Sequence, residues 1–136
     1  MARMIFPNLP VADLQKSTDF YLGLGFTKDD RFSNDQAAAV VVSDQVVIML
    51  LQQDFFQGFL PKGDLPHLSS SGKEVLLGIS CDSREEVDWM LQASVRGGGA
   101  MYAPATEGAP GMYGGSTADP DGHILDFFHM EPGAVQ

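Results

Sequence analysis

Asp119-Pro-Asp-Gly-His-Ile-Leu-Asp-Phe-Phe-His129 is the stretch from which the rest of the chain is read. Asp-Pro-Asp-Gly is turn chemistry: Pro presets φ, Gly takes positive φ, and Asp side chains bond nearby backbone. The aromatic and branched residues that follow suit a strand. One carboxylate, Asp126, interrupts that apolar run. Alternation puts Ile124, Asp126 and Phe128 on one face and His123, Leu125, Phe127 and His129 on the other. A carboxylate turned toward a core is costly unless it is paired or coordinates something. What Asp126 meets is therefore the central question.

Working outward, the same kind of strand precedes and recurs. Residues 112–118 and 100–105 read as strands before the turn, with a loop at 107–111. Residues 74–81 form an apolar strand that leads into Ser83, a helix N-cap with Glu86 three residues on as a capping box. Val87, Met90, Leu91 and Ser94 mark that helix's inner face, flanked by Trp89 and Val95, and Gly97-Gly-Gly99 ends it. In the first half, residues 4–9 form a short strand interrupted by Pro7. Asp13 caps a helix carrying Leu14, Ser17, Thr18, Tyr21 and Leu22, which Gly23 and Gly25 close. Strands are expected over 26–32, 36–43 and 46–51. Residues 57–71, rich in Pro, Gly and Ser, read as a linker, after a short helix carrying Phe55, Phe56 and Phe59. The order is strand, helix, three strands, given twice. Residues 1–136 are thus read as one domain of two βαβββ modules, about 1–56 and 72–136.

The 136 residues are 44% hydrophobic and 19% charged, with a formal net charge of −10. That balance argues against nucleic acid and anionic membranes, which call for basic patches. No stretch approaches the roughly 20 apolar residues of a membrane span, and the N-terminus lacks a signal-peptide core. The one cysteine, Cys81, excludes an intrachain disulfide and reads as a buried, inert thiol. A cytoplasmic protein is expected.

Three stretches carry a resemblance to a known superfamily. They are Leu9-Pro-Val-Ala-Asp-Leu-Gln-Lys-Ser-Thr-Asp-Phe-Tyr-Leu-Gly-Leu-Gly-Phe26, Ser80-Cys-Asp-Ser-Arg-Glu-Glu-Val-Asp88, and Asp119-Pro-Asp-Gly-His-Ile-Leu-Asp-Phe127. With the element order, they resemble the vicinal oxygen chelate superfamily: glyoxalase I, bleomycin resistance proteins and extradiol dioxygenases. The look is that of the glyoxalase-like branch of small bacterial proteins. The resemblance implies an α+β fold in which two tandem βαβββ modules form an eight-stranded incomplete barrel around a cavity. It also implies a homodimer. Metal-dependent members place four ligands, usually His and Glu, on facing strands, where a divalent metal acts as a Lewis acid.

Carried onto this chain, the four ligand positions read Phe6, Met49, Leu76 and Asp126. Two are hydrocarbons, and a thioether suits soft metals. Asn8 shares a face with Phe6 and offers an amide oxygen. Neither strand histidine shares the face of Asp126, and His67 lies in the linker. His123 reads as bonding the turn, and His129 as exposed or at a subunit contact. Asp126 is open to two readings. One is a general base or ligand acceptor. The other is a carboxylate held by Tyr113, Ser116 or backbone.

The expected function is the binding of a small organic molecule in a largely apolar cavity, without the usual divalent metal or another cofactor. Phe6, Asn8, Met49, Leu76, Met112, Tyr113, Asp126 and Phe128 would surround it, and no catalytic residue is assigned. Two alternatives stand. One is a metal-dependent lyase, isomerase or dioxygenase rebuilt around Asp126. The other is a non-catalytic dimeric interaction protein.

Overall fold

The computed structural model describes residues 3–66 and 72–133. Residues 1–69 and 70–136 form two compact units. The fold class is α+β, and each unit is a βαβββ module with one open four-stranded sheet.

In the first unit, β1 (Asn8–Val11) leads into α1 (Leu14–Gly23), then β2 (Thr27–Lys28), β3 (Ala37–Val41) and β4 (Val47–Gln52). The sheet order is β1-β4-β3-β2, with β1 parallel to β4 and the other pairs antiparallel. The helix starts where the Asp13 carboxylate accepts from the Lys16 N–H at 3.1 Å, a cap worth about 1 kcal/mol. Ser17, Thr18, Phe20 and Tyr21 are its buried residues. Phe20 and Tyr21 meet edge to face, with ring centroids 5.0 Å apart. Leu22 is on the exposed side of the helix. Gln52 ties sheet to helix: its Oε1 accepts from the Leu14 N–H at 2.6 Å, so the even positions of β4 face α1. Ile48 and Leu50, on that face, are buried.

The strand expected over residues 26–32 is mostly absent. Only Thr27–Lys28 pair as a strand, and Asp30–Phe32 form a 3-10 turn. The cause is local side-chain bonding. Asp29 accepts from the Arg31 backbone N–H at 3.0 Å, and the Asn34 Oδ1 accepts from the N–H groups of Gln36 and Ala37. These bonds satisfy backbone groups that a ladder would otherwise have to pair. After β4, the short helix α2 (Gln53–Gln57) carries Phe55 and Phe56 as expected, whereas Phe59 falls in the turn beyond its Gly58 cap.

In the second unit, β5 (Leu76–Ser80) is followed by α3 (Arg84–Arg96), β6 (Ala100–Glu107), β7 (Met112–Ala118) and β8 (Ile124–Met130). The order is β5-β8-β7-β6, again with the first and last strands parallel. Ser83 accepts from the Glu86 N–H at 3.0 Å. The Glu86 carboxylate reaches back to the Asp82 N–H at 2.7 Å, one residue further than a capping box requires. Val87, Met90, Leu91, Ala93 and Ser94 are buried on α3. Leu125 and Phe127, fully buried, lie on the face of β8 opposite Asp126. The turn before β8 is built on the buried Asp119 carboxylate, which accepts from the N–H groups of Asp121 and His123 at 2.9 Å each. Gly122 supplies the positive φ of 89° that closes it. Among the described residues, no helix is long and apolar enough to cross a membrane.

Candidate functional site

The parallel pairing of first and last strands sets each unit's candidate positions. In unit one, Met49 stands opposite Asn8. In unit two, Asp126 stands opposite Gly78 on β5 and Ser116 on β7. Phe6 precedes β1, next to the isolated Ile5–Val46 bridge, and is half-exposed. Leu76 opens β5 opposite Ile124 and is exposed. Phe6 and Leu76 thus lie one pleat away from Met49 and Asp126, not beside them.

Phe128 shares the face of Asp126, and the lack of side chains on the flanking strands makes room for it. A Cβ on Gly78 would lie 3.4 Å from the Phe128 ring, and one on Gly114 would lie 3.1 Å from the Phe128 Cβ. Met112, paired with Met130, is on the same face at the far end of β7. Tyr113 departs from the expectation that it lines this face. It alternates onto the α3 side, where its hydroxyl donates to Asp88 at 2.6 Å and its ring receives the Arg84 guanidinium at 5.0 Å. Neither Tyr113 nor Ser116 holds Asp126. Among the described residues, no hydrogen bond or ion pair reaches its carboxylate, and burial raises its pKa above the usual value.

The histidines also resolve. His129 is not at an exposed position: its side chain is 16% exposed, with Nδ1 3.0 Å from the Cys81 carbonyl oxygen. His123 belongs to the turn, through its backbone N–H. His67 lies outside the described residues. Cys81 is buried, and desolvation, with Glu86 and Asp82 nearby, pushes its thiol pKa up to about 11. It is a poor nucleophile near neutrality.

A pocket of about 330 Å³ lies over the sheet of unit one. Its lining includes the odd-numbered face of that sheet, with Ala37, Met49 and Leu51, and Asn8 beside Met49. Phe55 and Phe59 wall it, their rings in an edge-to-face pair at 5.2 Å. The segment 31–34 completes the lining with Arg31, Phe32, Ser33 and Asn34. A second hollow of about 530 Å³ lies against Phe55 and Phe59, among Gln36, Gln52, Asp54 and Gly58. Of the expected cavity residues, Asn8 and Met49 come together in the first pocket. Arg31, Ser33 and Asn34 are not among the expected cavity residues: Arg31 falls in the strand expected over 26–32, and Ser33 and Asn34 follow it in the turn. The signal was available: Asp29, Ser33 and Asn34 are turn and cap formers packed into six residues.

The ligand positions do not fit a hard divalent metal. They supply two hydrocarbons, one thioether and one carboxylate, where such a site needs several nitrogen or oxygen donors. Among the described residues, no three His, Cys, Asp or Glu side chains group closely enough to hold an ion.

Two βαβββ modules with parallel first and last strands define a glyoxalase-like class of α+β protein. A profile of the Glyoxalase/Bleomycin resistance protein/Dioxygenase superfamily matches residues 3–127, and the chain belongs to that superfamily. No curated protein shows significant sequence similarity to it. Among solved structures, a hypothetical protein from S. aureus is similar at 27% identity and a TM-score of 0.78, covering 95% of this chain and 94% of that one. A glyoxalase-related enzyme from Fulvimarina pelagi is 23% identical with a TM-score of 0.78, covering 95% and 88%. A lactoylglutathione lyase from Agrobacterium tumefaciens is 14% identical with a TM-score of 0.67, covering 98% and 96%. The last two likenesses concern the fold alone.

Proposed function

We propose that this protein binds a small organic molecule in the pocket over the sheet of unit one, without a resident divalent metal. The observation that carries this reading is the lining: a floor of Ala37, Met49 and Leu51, and walls of Phe55 and Phe59. Ligand sites usually span roughly 300–1,000 Å³ and are mostly apolar with a few placed polar groups. At about 330 Å³, this one suits a mono- or bicyclic molecule. Met49 supports it further, since a thioether adapts its shape to a flat ring. Among the described residues, the lining holds no His, Cys, Asp, Glu or Lys, and so no side chain suited to acid–base work near neutrality. That favours binding over turnover. A cytoplasmic homodimer is part of the same proposal. Each sheet has two edge strands that no strand of its own sheet covers, which supports assembly through an edge.

The test is an NMR screen of aromatic fragments against labelled protein. Binders should move the Met49 methyl and the Phe55 and Phe59 ring signals, and Met49→Lys, which puts a charge on the floor, should abolish them. Fragment hits that leave the Met49 methyl unmoved would overturn the assignment.

A further inference from the structure

The hydrogen bonds already made around this pocket determine which polar atoms are left for a ligand. The Asn34 Oδ1 is taken twice, by the N–H groups of Gln36 at 2.8 Å and Ala37 at 3.0 Å. That fixes the amide's orientation and leaves Nδ2 as a donor without a partner among the described residues. Arg31 gives Nε and Nη2 to the Asp29 carboxylate, at 3.0 Å and 2.8 Å. This bidentate pair holds the guanidinium plane and leaves Nη1 without a hydrogen bond among the described residues. Ser33 has spent its one donor on the Asp29 carbonyl at 2.7 Å and accepts from the Ala39 N–H at 3.0 Å. Asn8 donates Nδ2 to the Phe6 carbonyl at 2.8 Å, which leaves its Oδ1 as an acceptor.

The side-chain groups with no bond at all among the described residues are thus two donors, Arg31 Nη1 and Asn34 Nδ2, the first of them charged, and one acceptor, Asn8 Oδ1. Arg31 lines the pocket, and among the described residues no carboxylate does, its partner Asp29 included. The chain's net charge of −10 opposes an anion at long range. Charges farther away than about 8–10 Å are largely screened at physiological salt, so the near charges count: the Arg31 guanidinium, which is at the lining, and the Asp29 carboxylate 2.8 Å from it, which offsets part of its charge.

We infer that the pocket selects an aromatic carboxylate: the ring on Met49 and Phe55, the carboxylate on Arg31 Nη1 and Asn34 Nδ2. A hydroxyl or amide donor elsewhere on the molecule would meet the Asn8 Oδ1. This rests on the reading of the pocket as a binding site and adds the charge and class of the ligand.

Three probes of one shape separate the possibilities: naphthoate, naphthamide and naphthylmethylammonium, titrated by calorimetry and NMR. Naphthoate should bind tightest and the ammonium weakest. Arg31→Gln should weaken naphthoate by about tenfold, the scale of one charge-assisted hydrogen bond, and leave naphthamide nearly unchanged. Asn34→Asp keeps the oxygen that holds the turn, removes the donor and adds a negative charge. It should reverse the order, so that the ammonium probe binds more tightly than naphthoate. Ammonium binding equal to or tighter than naphthoate in the unmodified protein overturns the inference while the pocket stands. So does naphthoate affinity that neither variant moves. If no probe shifts the Met49 or Phe55 signals, the binding-site reading falls and the inference falls with it.

Discussion

Asp126 carries its charge with no internal partner among the described residues, on a face it shares with Ile124 and Phe128. Desolvation is the cause of its raised pKa, so the native state holds this proton more tightly than the unfolded chain does. The sign follows from proton linkage. Where the native state binds more protons, stability falls as pH rises. Below the ordinary carboxylate range both states are protonated and the group is neutral in effect. Above its folded pKa the penalty of the partly buried charge applies. Asp126→Asn should therefore raise the melting temperature at pH 7, and the gain should vanish toward pH 3. Melting curves of both proteins across that range check it. A variant less stable at pH 7 would mean that the carboxylate has a partner in the folded protein.

At the scale of elements, the second sheet depends on a close approach between β6 and β7. The register of β6 shifts between Met101 and Ala103 and again between Ala103 and Thr106, and Pro104 sits within that irregular edge. The irregularity brings backbone onto Gly115. A Cβ there would lie 2.9 Å from the Ala103 carbonyl oxygen, the Ala105 nitrogen and the Leu91 Cδ1. Two of those neighbours are backbone and cannot swing aside. Gly115→Ala should cost about 1–3 kcal/mol, the range for overpacking a well-filled site. Gly108, where nothing lies within 4 Å, is the control, and alanine there should change stability by less than about 0.5 kcal/mol. Urea denaturation measures both. What the sequence revealed and what it hid follow the same division. Caps and turns act through near neighbours, so Asp13, Ser83 and Asp119 were readable and hold the elements they announce. Helix faces were readable from period, as with Val87, Leu91 and Ser94. The role of Gly115 depends on a bulge in another strand, and the side chains of Asp29 and Asn34 override a strand pattern through bonds that periodicity does not encode. Of the proposed pocket, Asn8 and Met49 were legible because strand register places them together, and Arg31 and Asn34 were not, because side-chain bonds rather than periodicity set their turn.

For the whole molecule, membership in the superfamily does not select a reaction, because the family joins glyoxalases, resistance proteins and dioxygenases under one description. Donor chemistry is what distinguishes this chain. Its first unit offers an amide and a thioether at the paired positions, and its second offers one carboxylate opposite a glycine. One carboxylate does not hold a divalent ion against water, since structural and catalytic sites draw on three or more protein ligands. A resident ion would also leave a thermodynamic trace. Binding to the native state at a hundred times the Kd adds about 2.7 kcal/mol of stability, which chelation would remove. Protein purified without chelator should therefore contain substoichiometric zinc, nickel, manganese and iron by elemental mass spectrometry. Its melting temperature should not move with EDTA. A stoichiometric ion that Asp126→Ala removes, together with a fall in melting temperature on chelation, would reverse the proposal. It would place a metal-dependent reaction at the last strand.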